Sequence, residues 1–128
     1  LTNVEGGTAM DSVISHFNID GSDVWFTVTQ EGIKIGTLRA SIGQGVHTAP
    51  LLQTLWVEKA KRRQGIAVAM IREAEDYLLA HSESRVFAVT HPENLETRAL
   101  FKKLGYSEMI LLERKLGDDT GRFNGKRI

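Results

Sequence analysis

An apolar strand, an amphipathic helix and a second apolar strand follow one another in the middle of the chain. Leu51 to Val57 is a near-continuous apolar run, of the kind expected for a central strand buried on both faces. From Gly65 to about His81 the apolar residues recur with helical spacing, and Arg85 to Thr90 forms a second short apolar run. This order predicts two parallel strands joined by a right-handed crossover. It restricts the chain to a fold that mixes helices and strands.

The residues before this unit predict one helix and then a hairpin. Apolar residues from Met10 to Phe17 have helical spacing, behind a possible N-cap at Thr8. The alternation from Val24 to Thr29 is typical of a strand, and Glu31-Gly32 is typical of a tight hairpin turn. The returning strand shifts its phase near Gly36, which predicts a bulge.

The residues after the unit predict a second helix. Pro92-Glu93-Asn94 opens this helix and Gly105 ends it. Tyr106 to Leu116 has the pattern of a strand, whereas Gly43 to Pro50 predicts an exposed loop and Gly117 to Ile128 is polar. With 128 residues, of which 41% are hydrophobic, the chain has the size of one compact domain over residues 1–128.

The composition excludes several classes of function. Sixteen basic residues balance sixteen acidic ones, so no global charge attracts the chain to nucleic acid or to an anionic membrane. The chain has no cysteine, which excludes disulfides, thiolate metal sites and a cysteine nucleophile, and agrees with a reducing cytoplasm. Its four histidines lack paired ligand spacing, so we expect no metal. Without a membrane span or a signal peptide, we expect a cytoplasmic protein.

The first strand of the central unit and its helix are joined by the only dense basic cluster of the sequence. Four cationic side chains occupy the five positions 59 to 63. A helix start offers unpaired N–H groups and the positive end of the helix dipole, which together suit a phosphate. Gly65 lets a ligand approach the backbone, and Ala67 keeps the next exposed position small. Alternatively, Gly65 only eases a turn and the charges form a solvated edge. The placement between strand and helix favours anion binding.

Two motifs in the right order resemble the GNAT superfamily of N-acetyltransferases. Arg62-x-x-Gly65-x-Ala67 matches the family's Arg/Gln-x-x-Gly-x-Gly/Ala element at the end of a strand. About 30 residues later, the segment from Asn94 to Tyr106 resembles the family's Asn-x-x-Ala-x-x-Leu-Tyr-x-Lys-Leu-Gly-Phe helix in spacing. The resemblance covers roughly Asp23 to Leu116. It implies a three-layer α/β fold, in which a mixed, mostly antiparallel, twisted sheet has a central, splayed parallel strand pair and helices on both faces.

The resemblance also implies acetyl-CoA as cosubstrate and a set of residues that bind it. The backbone of Leu55 and Val57 would bind the pantetheine arm, and Arg62 or Lys61 would lie near a phosphate. The pyrophosphate would bind backbone amides in the loop and the helix start: Arg63, Gln64, Gly65, Ala67 and Val68. Asn94 would contact the pantetheine arm, but its position is equally typical of a helix N-cap, and one asparagine can do both.

The implied reaction is direct attack of a primary amine on the thioester, and its catalytic residues are not identified. The family often uses a tyrosine as the acid at the position of Phe101, which we place at the cofactor but which cannot donate a proton. The strand from Leu51 to Val57 offers no carboxylate as a base. His47 and Glu31 are within reach as bases. His91 follows the second strand near the cofactor, although a lone histidine in a loop is more often a turn residue.

The N-terminus departs from the family. The family has a strand and two helices before the hairpin that here contains Trp25, whereas only one helix fits in residues 1–20. The strand from Asp23 to Thr29 would then be an exposed sheet edge, which proteins usually cover. Since the chain starts at Leu1 rather than at methionine, we expect that missing residues or a partner subunit, as in a homodimer, cover this edge.

The acceptor amine is not defined by these motifs, and the small chain slightly favours a small molecule over a protein. Because of Phe101, the alternative is a non-catalytic acyl-CoA-binding regulator with the same fold. A nucleic-acid module based on Lys59 to Arg63 is disfavoured, because no aromatic residues interleave with these charges. The phosphate loop of nucleoside-triphosphate binders and the Gly-x-Ser-x-Gly elbow of hydrolases are both absent.

Overall fold

The computed structural model describes residues 2–3, 12–19, 23–42 and 49–108. In these ranges the strands are β1 (Thr2–Asn3), β2 (Ser12–Ile19), β3 (Asp23–Gln30), β4 (Ile33–Ser41), β5 (Leu51–Val57) and β6 (Phe87–Ala88). The helices are α1 (Ile66–Ala80), α2 (Leu95–Lys103) and one 3-10 turn, Lys59–Lys61. The strands form one sheet in their order along the chain, and only β5 and β6 pair in parallel. The predicted mixed, mostly antiparallel sheet is therefore confirmed.

The predicted N-terminal helix is wrong, because Ser12–Ile19 is a strand. It pairs with β3 along its whole length, from Ser12 opposite Gln30 to Ile19 opposite Asp23. Ile14 is 2% exposed whereas Phe17 is 50% exposed, so the two residues do not share a buried helical face. An isolated short helix is marginal in water, while pairing with β3 satisfies the backbone of the β-branched residues in this segment. The proposed cap at Thr8 and the residue Met10 lie outside the described residues.

The expectation that β3 is an uncovered sheet edge is also wrong. β3 lies between β2 and β4 in the sheet. The need for missing residues or a partner subunit at this edge therefore disappears, and with it the reason for expecting a homodimer. Only residues 20–22 separate β2 from β3, so the two helices that precede the hairpin in the family do not lie between these strands.

The predicted hairpin and bulge between β3 and β4 are confirmed. Glu31 and Gly32 have φ angles of 54° and 80°, as a turn with two left-handed residues requires. The register shifts between Val28 and Thr29, so that Ile35 is the extra residue next to Gly36. The bulge realigns β4 so that its later apolar residues again face the core.

Helix α1 covers one face of the sheet, as its apolar spacing predicts. Its buried residues are Ile66, Met70, Ile71, Ala74 and Leu78. The helix packs against β3, β4 and β5. A Cβ on Gly36 would lie 3.1 Å from Cε of Met70 and 3.2 Å from Cγ2 of Ile66, so glycine lets β4 approach the start of α1 closely. The helix start that was predicted to bind an anion is thus fixed directly on the core.

The central strands are less buried than predicted. Leu52 and Val57 are buried on β5, but Thr54 is exposed and Trp56 is 41% exposed, so the strand is not buried on both faces. β6 is limited to two residues of the predicted Arg85–Thr90 strand, and Val89 is 53% exposed.

The end of α2 and the two polar segments are only partly described. Gly105 has a φ of 99° and follows the helix end at Leu104, as predicted. In the predicted exposed loop, residues 43–48 lie outside the described residues, and Pro50 is buried. Residues 106–108 are not in a strand, and the rest of the predicted Tyr106–Leu116 strand lies outside the described part.

Candidate functional site

The parallel strands β5 and β6 part after a short contact. They pair only at Leu51 with Phe87 and Leu52 with Ala88. The last bond between them runs from the Val89 N–H to the Leu52 carbonyl, at 2.9 Å. β5 continues to Val57 without β6 beside it, so the predicted splayed pair is present. A gap in the sheet opens along the second half of β5.

A bulge lies on β5 at this gap. Thr37 pairs with Trp56 and Arg39 pairs with Gln53, so Thr54 and Leu55 together oppose the single residue Leu38 of β4. Thr54 has a φ of 58°, which is an outlier for a β-branched residue and costs about 1–3 kcal/mol. A bulge takes backbone groups out of the ladder, where they are available to a ligand.

The basic loop after β5 ends at a helix start without a side-chain cap. The Arg62 Nε donates a hydrogen bond of 2.9 Å to the Val57 carbonyl, which holds the loop against the end of β5. Arg63 and Gly65 have φ angles of 63° and 83°, and Gly65 occupies the N-cap position of α1. The N–H of Ala69 donates a hydrogen bond to the Gly65 carbonyl, which is the first bond of the α-helical pattern. The N–H groups that precede Ala69 in the helix therefore have no intrahelical acceptor. The first turn also has no acidic side chain.

The gap and the helix start open into one cavity of about 560 Å³. Its lining includes, among the residues predicted to bind acetyl-CoA, Leu55, Val57, Arg62, Arg63, Gly65, Ala67, Val68 and Asn94. Lys61 also lines it, whereas Gln64 and Phe101 do not. The sequence analysis missed further lining residues, which are Trp56, Ile66, Glu96, Thr97, Ala99, Leu100 and Lys103. The helical spacing of the α2 members was visible in the sequence, but which face of α2 meets the loop was not.

The charges in the cavity are mostly positive. Four of its lining residues are cations, namely Lys61, Arg62, Arg63 and Lys103. The lining contains one carboxylate, Glu96, which lies 3.8 Å from the Arg63 guanidinium across the space between the loop and α2. Both partners are largely exposed, so this ion pair is weak and can open for an anion. The cavity therefore combines cations with free helix-start amides.

Asn94 caps α2 and also lines the cavity. Its Oδ1 accepts a hydrogen bond of 3.2 Å from the Thr97 N–H, so the interpretation as an N-cap is confirmed. The same residue is part of the cavity lining. The carboxamide nitrogen takes no part in the cap bond, and it remains available to a ligand.

Phe101 belongs to the hydrophobic core rather than to the cavity. It is 5% exposed, and its ring packs edge-on against that of Tyr106 at 4.9 Å between centroids. The Tyr106 hydroxyl donates a hydrogen bond of 2.6 Å to Glu75 of α1. Burial, followed by this hydrogen bond, raises the pKa of Tyr106 above its ordinary value. Tyr106 thus joins α2 to α1 as a neutral side chain and is not part of the cavity lining.

The residues considered as bases do not come together at the cavity. Glu31 lies in the β3–β4 turn and His47 lies outside the described residues. His91 is exposed, and its Nδ1 accepts a hydrogen bond of 3.2 Å from the Glu93 N–H, which is a turn contact. Among the described residues, no group of three or more His, Asp or Glu side chains is arranged to hold a metal ion. Neither described helix has the length and hydropathy needed to cross a bilayer.

A cationic helix start that continues into a gap between parallel strands is suited to a long anionic ligand. A sequence model of the acetyltransferase (GNAT) family matches residues 3–106. The chain therefore belongs to the GNAT family, as its two motifs predict, and this membership supports acetyl transfer as its general chemistry. The sequence matches none of the curated proteins with which it was compared.

Solved structures share this fold. One is AAC(6')-Iy with the bisubstrate analogue CoA-S-monomethyl-acetylneamine, at TM-score 0.64 and 23% identity over 76% of this chain and 71% of that one. Another is an aminoglycoside acetyltransferase from an uncultured soil metagenomic sample, with a TM-score of 0.64 and 25% identity, over 79% of this chain and 69% of that one. A third is a transcriptional regulator from Bacillus halodurans, with a TM-score of 0.65 and 13% identity, over 74% of this chain and 68% of that one. At such identities the likeness establishes the fold.

Proposed function

We propose that this chain moves an acetyl group from acetyl-CoA to a primary amine by direct attack, with a small-molecule acceptor slightly favoured over a protein. One observation carries the proposal: a cationic, uncapped helix start and the gap beside β5 belong to the same cavity. The likeness to two aminoglycoside acetyltransferases, AAC(6')-Iy and the soil metagenomic protein, supports a small amine. The absence of cysteine supports action in a reducing compartment, the cytoplasm.

The helix start is proposed to bind the pyrophosphate. The amides of Arg63, Gln64, Gly65, Ala67 and Val68 supply donors that lack helical partners, and Arg62 or Lys61 supplies charge. An anion at this place satisfies the N–H groups and the positive helix end together. Because Arg62 is bonded to the Val57 carbonyl, its position is fixed before a ligand arrives, which lowers the entropic cost of binding.

The gap beside β5 is proposed to hold the pantetheine arm and the thioester. The arm would bond to the backbone of Leu55 and Val57, which has no neighbouring strand on this side, and to the carboxamide of Asn94. The bulge formed by Thr54 and Leu55 frees backbone groups where Leu55 lines the cavity. A free N–H at this point would stabilise the oxyanion that forms when the amine nitrogen attacks the thioester carbonyl. The C–S bond then breaks.

Two protons have to move in this reaction. An alkylammonium with a pKa of about 10.4 loses one proton before or during attack, and the departing thiolate gains one. Phe101 cannot supply a proton, and it packs in the core. Among the lining residues Glu96 is the sole carboxylate, and it is exposed and paired with Arg63. We therefore propose that solvent exchanges these protons.

A second candidate function follows from the same observation on Phe101. A chain that binds acyl-CoA in this cavity but lacks a proton donor there would act as an acyl-CoA-binding regulator. The observation that supports this alternative is that the described lining of the cavity contains no tyrosine or histidine.

Two measurements test the proposal. Thermal unfolding with acetyl-CoA at about 100 times its dissociation constant should show roughly 2.7 kcal/mol of stabilisation, and no shift would contradict binding. Release of free thiol should then be followed with a panel of primary amines. Release that depends on the amine establishes transfer, whereas binding without release establishes the regulator.

A further inference from the structure

On the face of the sheet away from α1, four side chains that can contact a ligand form a row across the strands. Phe17, Trp25, Arg39 and Gln53 are successive pairing partners on β2, β3, β4 and β5. Directly opposed residues share a face, and neighbours along a strand alternate. Gly36 faces α1, and Leu38, two residues further along β4, is buried on the same face. Thr37 and Arg39 alternate with these two residues, so they point to the other face of the sheet.

The Arg39 side chain lies beside Trp25 and Asp23, but its Nε has no hydrogen-bond acceptor among the described residues. Its guanidinium carbon lies 5.8 Å from the centre of the Trp25 ring, within the range of a cation–π contact. Its Nε lies 3.9 Å from the Asp23 carboxylate, which is too long for a hydrogen bond. Within the described ranges this Nε is buried without a partner. A buried donor atom without an acceptor is unfavourable, and the Arg39 side chain as a whole is 33% exposed, so a ligand can reach it.

Arg39 also lies beside the place where acetyl transfer is proposed. Its partner Gln53 directly precedes the bulge formed by Thr54 and Leu55, and Leu55 lines the cavity. The Gln53 Nε2 donates a hydrogen bond of 2.5 Å to the hydroxyl of Ser41, which lies beyond Arg39 on β4, so the Gln53 side chain is held on the side away from the bulge. The cavity proposed for the coenzyme is lined by residues of α1 and α2, so the coenzyme would reach the bulge from their side. An amine that attacks from the opposite side passes Arg39.

We propose that Arg39 binds a carboxylate of the acceptor, so that the acceptor is a small amine that carries a carboxylate. The inference rests on the proposed function and names its substrate class. A guanidinium matches a carboxylate through two parallel N–H bonds, and the contact with the Trp25 ring restricts the position of this guanidinium. In the described part of this face the only carboxylate is Asp23, and it already lies beside Arg39. A polycationic acceptor finds no further counter-charge there.

The test compares each of several amino acids with its carboxamide, which keeps the amine and removes the negative charge. Wild type should use the acid better than the amide by about 10- to 100-fold in kcat/KM, mainly through KM, as expected for a charge-assisted hydrogen bond. Arg39→Gln should abolish this preference, and Arg39→Lys should retain part of it.

Arg85→Gln is the matched control, because Arg85 also lies over an aromatic ring, at 5.2 Å from the centre of Phe87, but at the start of β6. It should keep the preference. All variants should keep the thermal shift with acetyl-CoA. Equal use of acid and amide by wild type, an unchanged preference in Arg39→Gln, or polyamines as the best acceptors would each overturn the inference. Thiol release with no amine at all would instead overturn the proposed transfer.

Discussion

Replacing Gly65 with alanine separates the two roles of this residue in the fold and in the site. Gly65 has a φ of 83°, a conformation in which a Cβ costs about 1–2 kcal/mol. Gly32 has a φ of 80° and has open space around it, so Gly32→Ala carries the same backbone cost in a turn that is not part of the cavity. In a domain of this size each kcal/mol lowers Tm by about 3–6 °C. Without ligand, both variants should unfold at similarly reduced temperatures.

The two variants should differ once acetyl-CoA is added. At about 100 times the wild-type dissociation constant, wild type and Gly32→Ala should gain roughly 2.7 kcal/mol. A Cβ at Gly65 keeps phosphate away from the helix-start amides. Losing one charge-assisted hydrogen bond, worth about 1.5–3 kcal/mol, weakens binding by about 10- to 100-fold. The gain should then fall to between about 0.4 and 1.4 kcal/mol.

Differential scanning fluorimetry at matched ligand concentrations measures this difference, and isothermal titration checks the affinities directly. An equal gain for both alanine variants would refute the placement of the pyrophosphate on the α1 start. An equal decrease in Tm of the two alanine variants without ligand is the control, because it shows that both substitutions cause the same backbone strain.

Three other predictions concern residues around the cavity. Phe101→Tyr should not raise the rate of thiol release and should cost about 1–3 kcal/mol in urea unfolding, because it buries a hydroxyl without a partner; a faster enzyme would contradict the core position of Phe101. Glu96→Gln should tighten acetyl-CoA binding at low salt by leaving Arg63 free, and titration calorimetry at higher salt should show the gain shrink; an unchanged affinity would mean that phosphate does not approach α2. The pKa of Tyr106 is raised in the folded state, so its contribution to the free energy of unfolding is fully present below the unfolded value of about 10 and is lost as pH rises above it. Tyr106→Phe should flatten the fall in stability between about pH 9.5 and 11 relative to wild type, and parallel curves would contradict the raised pKa that burial and the hydrogen bond to Glu75 produce.

Much of the fold was predictable because it depends on interactions between residues that are close in the sequence. Helix α1 followed from its apolar spacing, and the β3–β4 turn followed from Glu31-Gly32, because both depend on residues close in sequence. Asn94 and Gly105 marked the ends of α2 for the same reason. The basic loop was recognisable because a charge cluster, a glycine and a helix start occur together, and the structure brings most of its predicted residues into one cavity.

The sequence-based predictions failed for segments whose structure depends on contacts with residues far away in the sequence. The segment around Val13 and Ile14 has a helical spacing, but pairing with β3 makes it a strand. The exposure of Trp56 follows from the Thr54 bulge, which changes the phase of β5 and has no glycine to announce it. Phe101 was placed at the cofactor by its position in a motif, whereas the rotation of α2 about its axis turns it into the core.

The order of the strands has a consequence for folding kinetics. Each pair of neighbours from β1 to β5 is also adjacent in sequence, so these pairings close short loops and form rapidly. β6 reaches β5 only after residues 58–86, and two residue pairs hold it there. We expect this crossover to form last and to open first in hydrogen exchange, with the Val89 N–H exchanging well before those of β3. The chain would then complete the cavity beside β5 as the final step of folding.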